Sequence, residues 1–137
     1  MASEKIFETR VKRWLHSVGV YAAGTPSNKM EAAQTGWFLK VWGGGFQKAG
    51  IPDLLMCVNG FFIAVELKGA SGTASELQKL NTERINTAHG IGLILFPDGF
   101  KEFQEIVKGV IKCNGHILEL NVIRNALSST KCTILTG

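Results

Sequence analysis

The chain has 137 residues, the size of one ordinary domain, with enough length to bury a single core. Lys and Arg outnumber Asp and Glu by 15 to 11, a formal charge of +4 that favours an anionic partner such as nucleic acid, although solubility alone would also account for it. Cys57, Cys113 and Cys132 are odd in number and lack C-x-x-C spacing, and no apolar N-terminal segment precedes a small-residue cleavage site; this argues against a zinc ribbon, a disulfide framework and a secretory signal, and leads us to expect a soluble, cytoplasmic protein with no membrane span.

Phe7, Val11, Trp14, Leu15 and Val18 recur at helical spacing and predict an amphipathic first helix that Gly19 can end. Residues 21–36 show no clear period and read as loop or short irregular elements. A strand over residues 37–42 follows, and then Gly43-Gly44-Gly45, too permissive to hold regular structure by itself. Residues 51–58 and 61–68 are two apolar, strand-like runs joined by Asn59-Gly60, the dipeptide best suited to a two-residue type I′ hairpin turn. Ser75-Glu76-Leu77-Gln78 opens a second helix with Leu77, Leu80, Ile85 and Ala88 on one stripe and Gly90 as its stop. A buried strand over residues 91–96 precedes a third helix carrying Phe100, Phe103, Ile106, Val107, Val110 and Ile111. The tail from His116 would add a strand and a short helix. The order helix, strand, hairpin, helix, strand, helix predicts an α/β fold, a mixed sheet flanked by helices, as one domain with its core over residues 4–112 and a tail over 113–137 of undefined role. A hydrophobic fraction of 45% and 16 glycines imply some apolar area on the surface.

The Asn59-Gly60 turn fixes a register. Val58 pairs with Phe61 and Cys57 with Phe62, so Asp53 falls opposite Glu66, and the period of two turns Lys68 to the same face. Leu54, Met56, Val58, Phe61, Ile63, Val65 and Leu67 line the other face, while Leu55, Cys57, Phe62 and Ala64 make the first face apolar too, so both strands should be covered on both sides. Like charges directly opposite destabilise a sheet, and a lysine or a bound cation would compensate. Two carboxylates and the carbonyl of Leu67 are hard oxygen ligands of the kind Mg²⁺ prefers, and phosphodiester hydrolysis fits that inventory, with Lys68 positioning water or neutralising charge. A hairpin ion-pair cluster is the plainer reading of the same three residues.

Pro52-Asp53 followed by Glu66-Leu67-Lys68 resembles the signature of the PD-(D/E)xK nuclease superfamily. Gly50-Ile51-Pro52-Asp53-Leu54, Glu66-Leu67-Lys68-Gly69 and Ser75-x-x-Gln78, in that order, resemble its VRR-NUC family across residues 4–97. The resemblance implies a restriction-endonuclease-like fold and a DNA endonuclease dependent on Mg²⁺ or Mn²⁺. Asp53, Glu66, Lys68 and Gln78 would be catalytic, and Glu8, Asp53, Glu66 and Leu67 would serve the metal. Glu4, one turn before Glu8, competes for that last acidic role, and Glu8 could equally face solvent. Gln78 could complete a capping box with Ser75 instead, or serve both roles in different states. Stand-alone phage or bacterial members resemble Holliday-junction resolvases, which implies a homodimer acting on branched or four-way DNA in a bacterial or phage-infected cell. The third helix and residues 117–135 are candidate interface segments.

For DNA binding, Lys40 and Lys48 flank a glycine-rich segment containing Gly44, whose backbone amides could approach phosphates. Arg10, Lys12 and Arg13 read as the solvated face of the first helix. Gly69-Ala70-Ser71-Gly72-Thr73 lacks the G-K-[ST] ending of a phosphate loop, and His16, His89 and His116 share no metal-ligand spacing, so neither an ATP site nor a zinc site is expected. A non-catalytic DNA-binding or assembly module on the same fold, and a monomeric flap or nicking nuclease, remain alternatives.

Overall fold

The computed structural model describes residues 3–42, 49–113 and 134–135. In chain order the elements are α1 (Glu4–Ser17), β1 (Val20–Ala22), β2 (Gly36–Lys40), β3 (Leu54–Val58), β4 (Phe61–Leu67), α2 (Glu76–Thr87), β5 (Ile91–Leu95), α3 (Phe100–Lys112) and β6 (Ile134–Leu135). The strands form one mixed sheet in the order β1-β2-β3-β4-β5-β6. β2, β3 and β4 run antiparallel, and β1, β5 and β6 each pair parallel with their inner neighbours. The architecture is α/β, a mixed sheet flanked by helices.

One face of the sheet carries the core. α1 starts where the Ser3 hydroxyl accepts a hydrogen bond from the Ile6 amide at 3.2 Å, and it buries Phe7, Val11 and Leu15. α3 buries Phe100, Phe103, Val107 and Val110. Both helices pack against Phe38, Leu54, Met56, Val58, Ile63, Val65 and Leu67, with Phe7 set edge-on to Phe100 at 5.8 Å. Each fully buried leucine here, such as Leu15, Leu54 or Leu67, contributes about 1.5–3 kcal/mol by leaving water. α3, a candidate interface segment in the sequence, commits its apolar stripe to this core. The residues 117–133 of the proposed interface tail lie outside the described residues.

The hairpin has the expected register, with Val58 opposite Phe61, Cys57 opposite Phe62 and Leu54 opposite Val65. Asn59 and Gly60 take φ of 48° and 83°, positive at both central positions as a type I′ turn requires. The Asn59 side chain also donates to the Val110 carbonyl at 2.9 Å, tying the turn to the end of α3.

Several boundaries differ from the sequence reading. Residues 21–36 are not all loop: β1 reaches Ala22, and Tyr21 is buried with its hydroxyl donating to the Ala32 carbonyl at 2.7 Å and accepting from the Ala32 amide at 3.0 Å. β2 ends at Lys40, and Trp42 is exposed. α2 does not bury its Leu77 and Leu80 stripe; both are exposed, and Thr82 is the residue it buries. The cause is Gly92 on β5, where a Cβ would stand 2.7 Å from the Thr82 carbonyl oxygen. The helix backbone approaches the sheet there and turns its leucines outward. His89, not Gly90, takes the left-handed conformation after α2, with φ of 69°. α2 covers only the β4–β5 side of the second face, so that face is not fully covered: Trp37, Leu39, Cys57 and Phe62 are exposed on the β2–β3–β4 side. Among the described residues no helix is long and apolar enough to cross a membrane.

Candidate active site

At the rim where β3 begins and β4 ends, residues from five segments meet. Gly50 opens the approach with φ of 82°, and a Cβ there would stand 2.6 Å from the Leu77 side chain. Glycine is therefore required both by conformation and by space. The Asn81 side chain donates to the Gly50 carbonyl at 2.9 Å. Beyond Pro52, Asp53 leaves the ladder just before β3, but its position is fixed from both sides. The Val41 amide donates to its carbonyl at 2.7 Å, and its own Oδ2 accepts from the Leu67 amide at 2.8 Å. Asp53 is thus brought against the Glu66–Leu67 segment of β4, where the hairpin register places it.

Glu66 is 4% exposed, one of two buried polar or charged side chains among the described residues. Its Oε1 accepts from the Gln78 Nε2 at 2.7 Å and lies 3.6 Å from the Lys68 Nζ. Its Oε2 is buried with no hydrogen-bond partner. A buried acceptor left without a partner costs about 1–3 kcal/mol, more when charged. Burial, and then the negative charge of Asp53, push the Glu66 carboxyl up to about 7, with Lys68 opposing both.

Gln78 caps α2 and meets Glu66 at the same time. Its amide oxygen accepts from the Ser75 amide at 2.8 Å, and the Ser75 hydroxyl accepts from the Gln78 amide at 3.1 Å, which completes a capping box. Its amide nitrogen meanwhile holds Glu66. The cap fixes the rotamer that presents the nitrogen.

No family model, curated protein or solved structure matches this chain.

On the α1 side, Glu8 is half-buried and is bonded by the Lys40 ammonium, with the Lys12 Nζ 3.0 Å from its other oxygen. Burial raises the Glu8 carboxyl, but the two ammonium groups outweigh it and leave it below its ordinary value. Glu4 is exposed and acts on Lys40 only through its charge, whereas Glu8 is bonded to it, so of the two acids Glu8 is the one nearer the site. Lys40, a candidate DNA contact in the sequence, lies between Glu8 and Asp53, 3.7 Å from the Asp53 Oδ1. This is the site residue whose role the sequence reading missed: its position two strands away from Glu66 gives no spacing signal. Gly44 and Lys48 lie outside the described residues. Arg10 rests over the Phe100 ring at 4.9 Å, and His16 accepts from the Ala22 amide at 3.3 Å, a structural role.

Among the described residues no group of three His, Cys, Asp or Glu side chains converges into a metal cage. Two do converge: Asp53 and Glu66. Their hard oxygens, one of them orphaned and buried, suit Mg²⁺, which keeps several waters and takes only one or two carboxylates. The donor set fits a divalent cation held by Asp53 and Glu66. Glu8, already held by two ammonium groups, is not in that pair.

The raised Glu66 carboxyl carries a stability prediction for metal-free protein. Between its ordinary 4.5 and about 7 the folded state keeps a proton that the unfolded chain has released, so stability falls as pH rises through that window. Thermal unfolding in chelator should give a lower midpoint at pH 7.5 than at pH 5.5, and Glu66→Gln should remove most of the difference. An unchanged slope in the variant would mean that another group titrates there.

Proposed function

We propose that this chain is a divalent-metal-dependent DNA endonuclease with a restriction-endonuclease-like fold, similar to the VRR-NUC family that the motifs at Asp53, Glu66-Leu67-Lys68 and Gln78 resemble. The observation that carries the reading is the buried, unpartnered Oε2 of Glu66 beside Asp53. Such an oxygen is stable at neutral pH only if a proton or a cation meets it. Bound Mg²⁺ or Mn²⁺ would supply Lewis acidity toward a phosphodiester oxygen and acidify an attacking water.

The chain's own groups do the rest. Asp53, braced by the Leu67 amide, and Glu66, braced by Gln78, hold their carboxylates in fixed positions. The Leu67 carbonyl, between the two signature residues, is a third candidate oxygen. Lys68, with its ammonium 3.6 Å from Glu66 and its side chain 13% exposed, can orient the water or neutralise charge that develops on the phosphate. The net charge of +4 favours approach of the polyanion.

A homodimer acting on branched DNA is part of the proposal. Two sites related by a two-fold axis can cut opposing strands of a four-way junction, whereas one site hydrolyses one strand at a time. The surface that supports this is the open sheet face, where Trp37, Leu39 and Phe62 are 43%, 42% and 47% exposed. Exposed aromatic and aliphatic residues on one sheet face are the kind of patch that interfaces cover. Incubation with labelled linear, flapped and four-way DNA in Mg²⁺, Mn²⁺ or EDTA tests the reading, with sedimentation to give the oligomer. Metal-dependent paired nicks in the four-way substrate are expected. DNA binding without cleavage in either metal would leave a non-catalytic module, and a monomer that prefers flaps would remove the dimer while keeping the nuclease.

A further inference from the structure

Lys40 is placed by backbone, not by chance of rotamer. It is the last residue of β2, opposite Leu54 in the ladder, and the next amide, that of Val41, donates to the Asp53 carbonyl at 2.7 Å. The end of β2 is thereby bonded to the residue whose side chain Lys40 faces. Asp53 Oδ2 already accepts from the Leu67 amide, so Oδ1 is the oxygen with more lone-pair capacity for a cation, and the Lys40 Nζ stands 3.7 Å from it. The side chain is 18% exposed, and its ammonium is also bonded to Glu8. Burial would lower its pKa, yet Glu8 and Asp53 raise it, so it stays charged. Glu4 also acts on it electrostatically, and among the described residues the exposed Trp42 ring lies 5.8 Å from the Nζ.

We propose that Lys40 is a built-in counter-cation that competes with a divalent metal for Asp53 Oδ1, holding the empty site neutral and withdrawing toward Glu8 when the metal enters. The inference rests on the metal-site reading above. The physical basis is simple: a unit positive charge a few ångströms from a doubly charged ion is repelled in a half-buried site, where water screens poorly. Glu8 is the residue that makes withdrawal possible, because it keeps the ammonium paired after Asp53 is given up. The arrangement explains why an acid on α1 can matter to the site without ligating metal: it parks the competitor. It also explains why a lysine adjoining the proposed DNA path points inward.

Calorimetric titration of the full-length chain with Mn²⁺ tests this in wild type, Lys40→Met, Lys40→Arg and Asp53→Asn. Lys40→Met keeps the aliphatic stem and removes the charge, and it should bind Mn²⁺ roughly five- to tenfold more tightly than wild type. Lys40→Arg, which keeps the charge, should stay near the wild-type affinity, and Asp53→Asn should bind weakly or not at all. In parallel, the rate at which Lys40 of the unaltered protein is acetylated, read by mass spectrometry, should rise on adding Mg²⁺ and be unaffected in Asp53→Asn; this arm does not depend on a lysine variant folding. Equal or weaker Mn²⁺ binding by Lys40→Met, with binding still abolished in Asp53→Asn, would overturn the competition and leave the metal site standing. No Mn²⁺ binding by wild type would overturn both.

Discussion

Asp53→Asn and Glu66→Gln are each expected to reduce DNA cleavage by at least about 10³-fold while leaving the fold intact, a loss of the size found when a group that stabilises transition-state charge is removed. Asparagine can still accept from the Leu67 amide, which holds residue 53 in place, but it removes the charge at Oδ1. Glutamine at 66 can still accept from Gln78, and it removes the group whose charged form burial disfavours. The two effects on Glu66→Gln therefore have opposite signs: activity is lost, and metal-free stability at pH 8 rises, because a buried carboxylate with one unpartnered oxygen is replaced by a neutral amide. Mg²⁺ or Mn²⁺ should raise the melting temperature of wild type and do so less for either variant. Circular dichroism, melting curves with and without metal, and a cleavage assay measure all three. Equal metal-induced shifts in the three proteins would remove Asp53 and Glu66 from the metal site, and retained cleavage would remove them from the chemistry.

What the sequence made legible here follows from local rules. Asn59-Gly60 can take positive φ at both positions, so the turn, the register and the approach of Asp53 to Glu66 all follow from one dipeptide. Ser75-x-x-Gln78 is likewise local, and the capping box forms as expected. The unread parts are non-local. Leu77 and Leu80 have helical spacing, and spacing alone says they are buried; Gly92, ten residues beyond Thr82 on another element, decides otherwise by admitting the helix backbone. Lys40 reads as a basic residue beside a glycine run. Only the pairing of β2 with β3, which brings residue 40 beside Asp53, shows that its charge is used within the chain. For Gln78 the sequence left both capping and site roles open but not their coexistence in one state, which follows from a side-chain amide having two ends and using both.

The open face of the sheet shows the same limit from the other side. Leu55, Cys57, Phe62 and Ala64 alternate on one face of the hairpin, and such alternation implies that something covers them. α2 covers Ala64 and Glu66, toward β5, and leaves Phe62 and Cys57 exposed. Patterning registers that a face is apolar; it does not register whether the chain's own helix or a second molecule lies on it. The proposed dimer accounts for that remainder, and it does so with residues on β2, β3 and β4 instead of α3.

Lys68→Met is expected to slow single-turnover cleavage by about 10²–10⁴-fold at saturating protein, the range for a group that moves a proton or meets developing charge, while DNA affinity falls only a few-fold because one cation among many phosphate contacts is lost. The backbone position should survive, since the Lys68 amide donates to the Leu95 carbonyl at 2.9 Å whatever the side chain. The distinguishing signature is in the pH profile. Lys68 is the group that opposes burial and Asp53 at Glu66, so removing its charge lets the Glu66 carboxyl rise further. The metal-free stability slope should then extend above pH 7, and any residual cleavage should need a higher pH than wild type. Arginine at 68 keeps the charge and should restore the profile, but not the full rate, because a planar guanidinium cannot occupy the ammonium position. If Lys68→Met instead shows near wild-type single-turnover rates and loses only stability, Lys68 serves the ion-pair cluster on the hairpin and the chemistry lies with other groups.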